Sequence, residues 1–168
     1  QRRIFISRHV QDPVERSRAL QSGWESAQQC LDLSGTASTV EALPGATSWA
    51  ALTVRGLLEL QMNRPGDALQ SFEQALDLKP EHQPARLGYA EAQKEIGNVK
   101  QSLKSLEPLL QANVADAWVI AATLAAAEHR FKDVNLFLER AEHNRPDAIH
   151  SIHREAKCLE LRMLCRAW

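Results

Sequence analysis

The stretch GDALQSFEQALDLKP, residues 66–80, recurs in altered form 66 residues later within RFKDVNLFLERAEHNRP, residues 130–146. Asp67 answers to Asp133, Ala68 to Val134, Phe72 to Leu138, Ala75 to Ala141 and Pro80 to Pro146. A degenerate middle copy, GNVKQSLKSLEPLLQANV, lies 34 residues after the first, with Ser102, Leu106 and Leu109 in the places of Ala68, Phe72 and Ala75. The connection after it is two residues shorter. A fixed period of this size marks a chain built from repeated supersecondary units, each burying its apolar face against its neighbours.

In the first copy a small residue, a large one and another small one fall on one helical face, and the later copies hold the same face with Ser102, Leu106 and Leu109 and with Val134, Leu138 and Ala141. Each copy is preceded by a second apolar-periodic helix, at about 48–62, 83–97 and 115–129. The reading is all-α: three antiparallel helix pairs, A then B, joined by short turns. Plentiful Ala and Leu favour helix as well. Pro80 and Pro146 are expected to end a B helix, and Asp67 and Asp147 to cap helix starts. Pro108 lies inside the second B helix, where a kink or an early end is expected.

With units numbered from Trp49, Gln83 and Ala115, the pattern resembles the tetratricopeptide repeat, a helix–turn–helix unit of 34 residues. The eighth place holds Gly56, Ala90 and Ala122, and the twentieth Ala68, Ser102 and Val134. The twenty-fourth holds Phe72, Leu106 and Leu138, and the twenty-seventh Ala75, Leu109 and Ala141. Trp118 is fourth in its unit, where the family often has tryptophan; Val114 departs from the proline expected at the thirty-second place. The resemblance implies a right-handed superhelix of antiparallel helix pairs, a tetratricopeptide-type α-solenoid. It divides the chain into a divergent N-terminal helical segment or cap (1–47), three units (about 49–82, 83–114 and 115–148, within 48–146), and a C-terminal capping helix or fourth A helix (147–168).

The resemblance also implies a concave, protein-binding groove lined by the second, fifth, ninth, twelfth and thirteenth places of each A helix. These are Ala50, Thr53, Leu57, Leu60 and Gln61 in the first unit; Pro84, Leu87, Glu91, Lys94 and Glu95 in the second; Asp116, Val119, Thr123, Ala126 and Ala127 in the third. Relatives that clamp the acidic tails of chaperones need Lys and Asn where Thr53 and Leu57 stand, and basic residues where Asp116 stands. That clamp is therefore not expected. An apolar-anchored peptide or amphipathic helix suits the surface better.

The segment 12–33 reads as a helix, with Asp12 as cap and Pro13 at the first helical position. Trp24, Ala27, Leu31 and Leu20 form its apolar stripe, as in the B helix of a leading unit or an N-terminal cap. A short helix is expected near Thr39–Leu43. Residues 1–9 combine Arg2, Arg3 and Arg8 with Ile4, Phe5 and Ile6, and read as a frayed terminus or the tail of an upstream helix, with a juxtamembrane segment or a strand that docks on another molecule as the other readings. The last helix carries Ile149, Ile152, Ala156, Leu159 and Met163 on one stripe, with Leu161, Leu164, Cys165 and Trp168 on its flanks. A terminal repeat normally presents a polar outer face. The greasy flank is therefore a candidate for homodimer contact or for further repeats.

Net charge is −1, without a basic excess to neutralise phosphates, so nucleic acid is not an expected partner. No apolar run reaches the roughly 18 residues that suggest a membrane span. Cys30, Cys158 and Cys165 form no CxxC and are expected to be buried free thiols. His150 and His153, near His143 and Glu155, have a spacing that can hold a metal, but no third ligand is fixed in register; neither metal nor cofactor is expected. No nucleophile motif is present, and no enzyme activity is expected.

The chain opens on Gln1 and is read as a section of a longer protein of bacterial character, from the cytoplasm or, if of the envelope, the periplasm. The functional expectation is a non-catalytic scaffold binding protein or peptide. The alternatives are a regulatory or substrate-presenting module attached to an enzyme such as a glycosyltransferase, or a homo-oligomerisation module.

Overall fold

The computed structural model describes residues 13–36, 46–144 and 151–166. Every regular element among them is an α-helix: α1 (Pro13–Thr36), α2 (Ala46–Gln61), α3 (Pro65–Leu78), α4 (Gln83–Glu95), α5 (Val99–Gln111), α6 (Ala115–Ala127), α7 (Phe131–His143) and α8 (Ser151–Arg166). The expectations for residues 1–9, for Thr39–Leu43 and for capping by Asp12 and Asp147 lie outside the described residues.

Local sequence sets several helix ends. Pro13 and Pro65 open α1 and α3, where a missing N–H leaves no bond unmade. Arg64, not Asp67, is the N-cap of α3, and no side chain caps it. Asp67 falls in the first turn instead, where its charge favours the positive end of the helix dipole. The helix stops at Leu78 because Lys79 precedes Pro80 and is pushed out of the helical region, to φ −143° and ψ 86°. Pro108 does not end α5, which continues to Gln111. The carbonyl it leaves without an amide belongs to Lys104, and both residues are exposed, so water can serve that group.

Four of the turns share one geometry. Asn63, Gly97, Asn113 and His129 each have positive φ, at 59°, 89°, 55° and 59°. At each, the N–H of that residue bonds a carbonyl three back, and the next N–H bonds one five back. Asn63 reaches Leu60 and Arg64 reaches Glu59, at 2.9 and 2.8 Å; His129 reaches Ala126 and Arg130 reaches Ala125, at 3.0 and 2.9 Å. Gly97 with Asn98 and Asn113 with Val114 repeat the pair. This is the Schellman closure, which satisfies the last carbonyls of a helix. The residue completing each closure is also the N-cap of the next helix, so the chain reverses within a few residues.

The small–large–small register reads out directly as burial. Gly56, Ala90 and Ala122 are buried, and so are all nine residues at the twentieth, twenty-fourth and twenty-seventh places.

The chain forms two compact units, residues 1–92 and 93–168. In the first, Leu52, Ala68, Phe72, Ala75, Ala85 and Ala92 make the core, joined by Leu31, Leu60, Leu69, Leu76 and Tyr89. Phe72 is wedged between two glycines: a Cβ on Gly56 would lie 2.8 Å from its ring, and one on Gly88 closer still. Burying such a ring is worth about 1.5–3 kcal/mol. In the second unit, Trp118, Val119, Ala122, Ala125, Val134, Leu138 and Ala141 pack with Cys158 and Leu161 of α8.

Candidate functional site

In the first unit α2 presents two different faces. One is polar yet buried. Glu59 is only 5% exposed and accepts hydrogen bonds from Trp24 Nε1 (2.9 Å) and Ser71 Oγ (2.5 Å). Arg55 Nε donates to Ser71 Oγ at 2.9 Å and lies 3.6 Å from Glu59. Its other nitrogens donate to Gln28 (3.1 Å) and Gln74 (3.4 Å). One carboxylate thus ties α1, α2 and α3 together. Because every partner is satisfied, the network can hold a buried charge that would otherwise be expensive. The sequence shows the Arg55–Glu59 spacing of four, but not that Trp24 and Ser71 converge on it.

The other face of α2 is apolar and open. Leu57 is 43% exposed, and Val54, three residues before it on the helix, is exposed as well. Ala50 is half-buried. The remaining groove candidates of α2 behave differently. Thr53 is buried, with its hydroxyl donating to the Trp49 carbonyl at 2.7 Å. Leu60 is half-buried against the core. Gln61 is exposed and accepts a hydrogen bond from Arg16 at 3.1 Å. On α4, Leu87 and Glu91 are half-buried. Val54 was missed because its place in the unit is not among the groove positions that the resemblance supplied.

At the start of α2, Trp49 meets the turn that leads into α4. Lys79 Nζ lies 4.1 Å from the centre of its ring, and the His82 ring packs edge-on at 4.3 Å. Burial, and then the neighbouring Lys79 ammonium, hold the His82 imidazole below its ordinary pKa.

In the second unit, Lys94 is half-buried and pairs with exposed Glu95 at 3.0 Å. Val119 is core. Asp116 and Thr123 are half-buried, Ala126 packs against the core, and Ala127 is exposed. Thr123 donates its hydroxyl hydrogen to the Ile120 carbonyl at 2.7 Å.

The Trp118 side chain is 6% exposed overall, and its Nε1 is buried with no hydrogen-bond partner. Phe137 packs against the indole at 5.6 Å, and the Arg140 guanidinium carbon sits 4.9 Å from the ring centre.

On α8, Cys158 and Leu161 are buried and Cys165 is half-buried against the core. Leu159, Met163 and Leu164 are exposed, Met163 at 65%. Arg162 pairs with Glu142 at 2.8 Å. Leu161 therefore serves its own unit and is not available at the surface. Trp168 and the side chains of His150 and His153 are outside the described residues. The three cysteines are free, but Cys30 is exposed on α1, against the expectation that all are buried. Among the described residues no group of His, Cys, Asp or Glu is arranged to hold a metal ion, and no helix is long and apolar enough to cross a membrane.

The helix pairs, their register and their turns define a helical-repeat protein of the all-α class. Residues 59–127 match the family model of the tetratricopeptide repeat. Repeats of this family generally mediate protein–protein interaction. Among solved structures, a tetratricopeptide repeat protein from Parabacteroides merdae is 20% identical, over 90% of this chain and 80% of its own, with a TM-score of 0.36. No curated protein matches the sequence.

Proposed function

We propose that the chain is a non-catalytic scaffold that binds a peptide or amphipathic helix of a protein partner, with the open apolar face of α2 as an anchor point. The observation that carries this reading is the exposure of Leu57 and Val54 on a helix whose other faces are buried. Leu57 holds a groove place of its repeat, and a solvent-facing leucine beside a valine offers a partner helix an apolar anchor. In the second unit Thr123, Ala126 and Ala127 hold the corresponding places, with small side chains suited to close approach of a ligand backbone. The test is affinity capture on immobilised chain, read by mass spectrometry, with Leu57→Asp beside the parent. Partners lost in Leu57→Asp, with thermal unfolding unchanged, support the reading. Equal loss of binding and stability would make Leu57 a packing residue.

Leu159, Met163 and Leu164 on α8 favour a second reading, self-association through that helix. Light scattering across a dilution series tests it: a mass independent of concentration and equal to one chain would reject it.

A further inference from the structure

Trp118, at the fourth place of its unit, is not one of the groove places of α6. More than nine-tenths of buried polar groups have a partner, yet Trp118 Nε1 has none. Its ring is held by two α7 residues, Phe137 and Arg140, which lie three apart on that helix. Arg140 is exposed, and its backbone carbonyl is already used by the Asn144 amide and side chain. Of the carboxylates nearest to it in α7, Glu142 is taken by Arg162 and Glu139 is exposed. The guanidinium is positioned by the indole face through a cation–π contact. One neutral donor and one cationic fork therefore sit at a single ring, and donors of this kind match an oxygen anion.

We propose that Trp118 Nε1 and the Arg140 guanidinium form a carboxylate-binding subsite. Arg140 covers the indole in the free chain; it swings off the ring as a carboxylate enters, keeps one oxygen, and leaves the other to accept the indole N–H. The carboxylate belongs to a peptide, either at its C-terminus or on an Asp or Glu side chain. Phe137 supplies the apolar wall beside it. The proposal does not depend on the α2 reading, and Leu57→Asp leaves it untouched.

The test follows the tryptophan indole signals of the full ¹⁵N-labelled chain by NMR, with Trp118→Phe used only to assign one of them. Three alanine-based peptides are titrated: one with a free C-terminal carboxylate, one amidated with a single glutamate, and one amidated without it. The expected result is a saturable downfield shift of the Trp118 indole with one or both of the carboxylate peptides. Which of the two acts identifies the source of the carboxylate. In Arg140→Gln the affinity should fall about tenfold or more, with Arg140→Lys falling between. No shift with either peptide overturns the proposal, as does an equal shift with the uncharged peptide or an unchanged affinity in Arg140→Gln. The unchanged indole spectrum of free Arg140→Gln, apart from Trp118, reports that the fold is intact.

Discussion

The α2–α3 pair and the α6–α7 pair solve the same packing problem with different side chains. At the eighth, twentieth and twenty-fourth places the first uses Gly56, Ala68 and Phe72, and the second uses Ala122, Val134 and Leu138. The large ring needs two small neighbours, and the smaller leucine is matched by two larger ones. At the eleventh place the contrast is chemical: Glu59 stands in a buried polar network in one pair, and buried Ala125 stands in the other. The second pair carries its polar surplus elsewhere, at the unmatched nitrogen of Trp118. The repeat thus fixes a register of buried places, while the size and chemistry at any one place stay free. What counts is whether each buried polar group finds a partner.

The comparison breaks most sharply at Glu59. Glu59→Ala gives the first pair the residue that the second already uses, so a purely steric repeat would tolerate it. We expect instead a loss of about 3 kcal/mol, since removing one partner of a buried ion pair strands the other. Urea unfolding measures this, and a change near zero would mean that the network contributes nothing.

A smaller effect comes from Gly56→Ala, which drives a Cβ into the Phe72 ring and should cost about 1–3 kcal/mol. Adding Phe72→Leu converts the trio toward the composition of the second pair. The double variant should be more stable than the sum of the two singles predicts, by an interaction energy of about 0.5–3 kcal/mol in a double-mutant cycle. Strict additivity would show that the two places do not share one volume.

The least effect is expected at the Trp49 cluster, which has no counterpart described in the second unit. His82 is held below its ordinary pKa in the folded chain. The unfolded chain therefore takes up this proton first, and stability falls as pH drops below the ordinary imidazole value, levelling once the folded imidazole protonates too. His82→Asn should flatten the thermal-unfolding profile between about pH 7 and 5. A slope equal to that of the parent would place the titration elsewhere.

Much of this was legible beforehand. The offset between Asp67 and Asp133, and the alternation of small and large residues, determine the helix pairs, because a side chain every 3.6 residues can serve one face only. Pro13 and Pro80 mark their helix boundaries through their fixed φ and missing N–H. The turn residues were less legible: Asn63, Gly97, Asn113 and His129 have unlike side chains, and what unites them is a backbone closure that any of them can adopt at modest strain.

Legibility fell further at the binding surface. Thr53 and Leu57 lie four apart on α2, both at groove places, yet one is buried and the other open. On α8, Leu161 and Leu164 divide in the same way. Helical phase gives the direction of a side chain, and it cannot say which neighbour lies there. The sequence by itself determined the helices, the α2–α3 and α6–α7 pairs and the sizes of the residues between them, since these depend on period and volume. Only the tertiary structure decided that Trp24 and Ser71 reach Glu59, that Leu57 stays uncovered, and that the Trp118 nitrogen is left without an acceptor. Each of these depends on groups far apart in the chain meeting at hydrogen-bond or contact distance, and no local pattern encodes that.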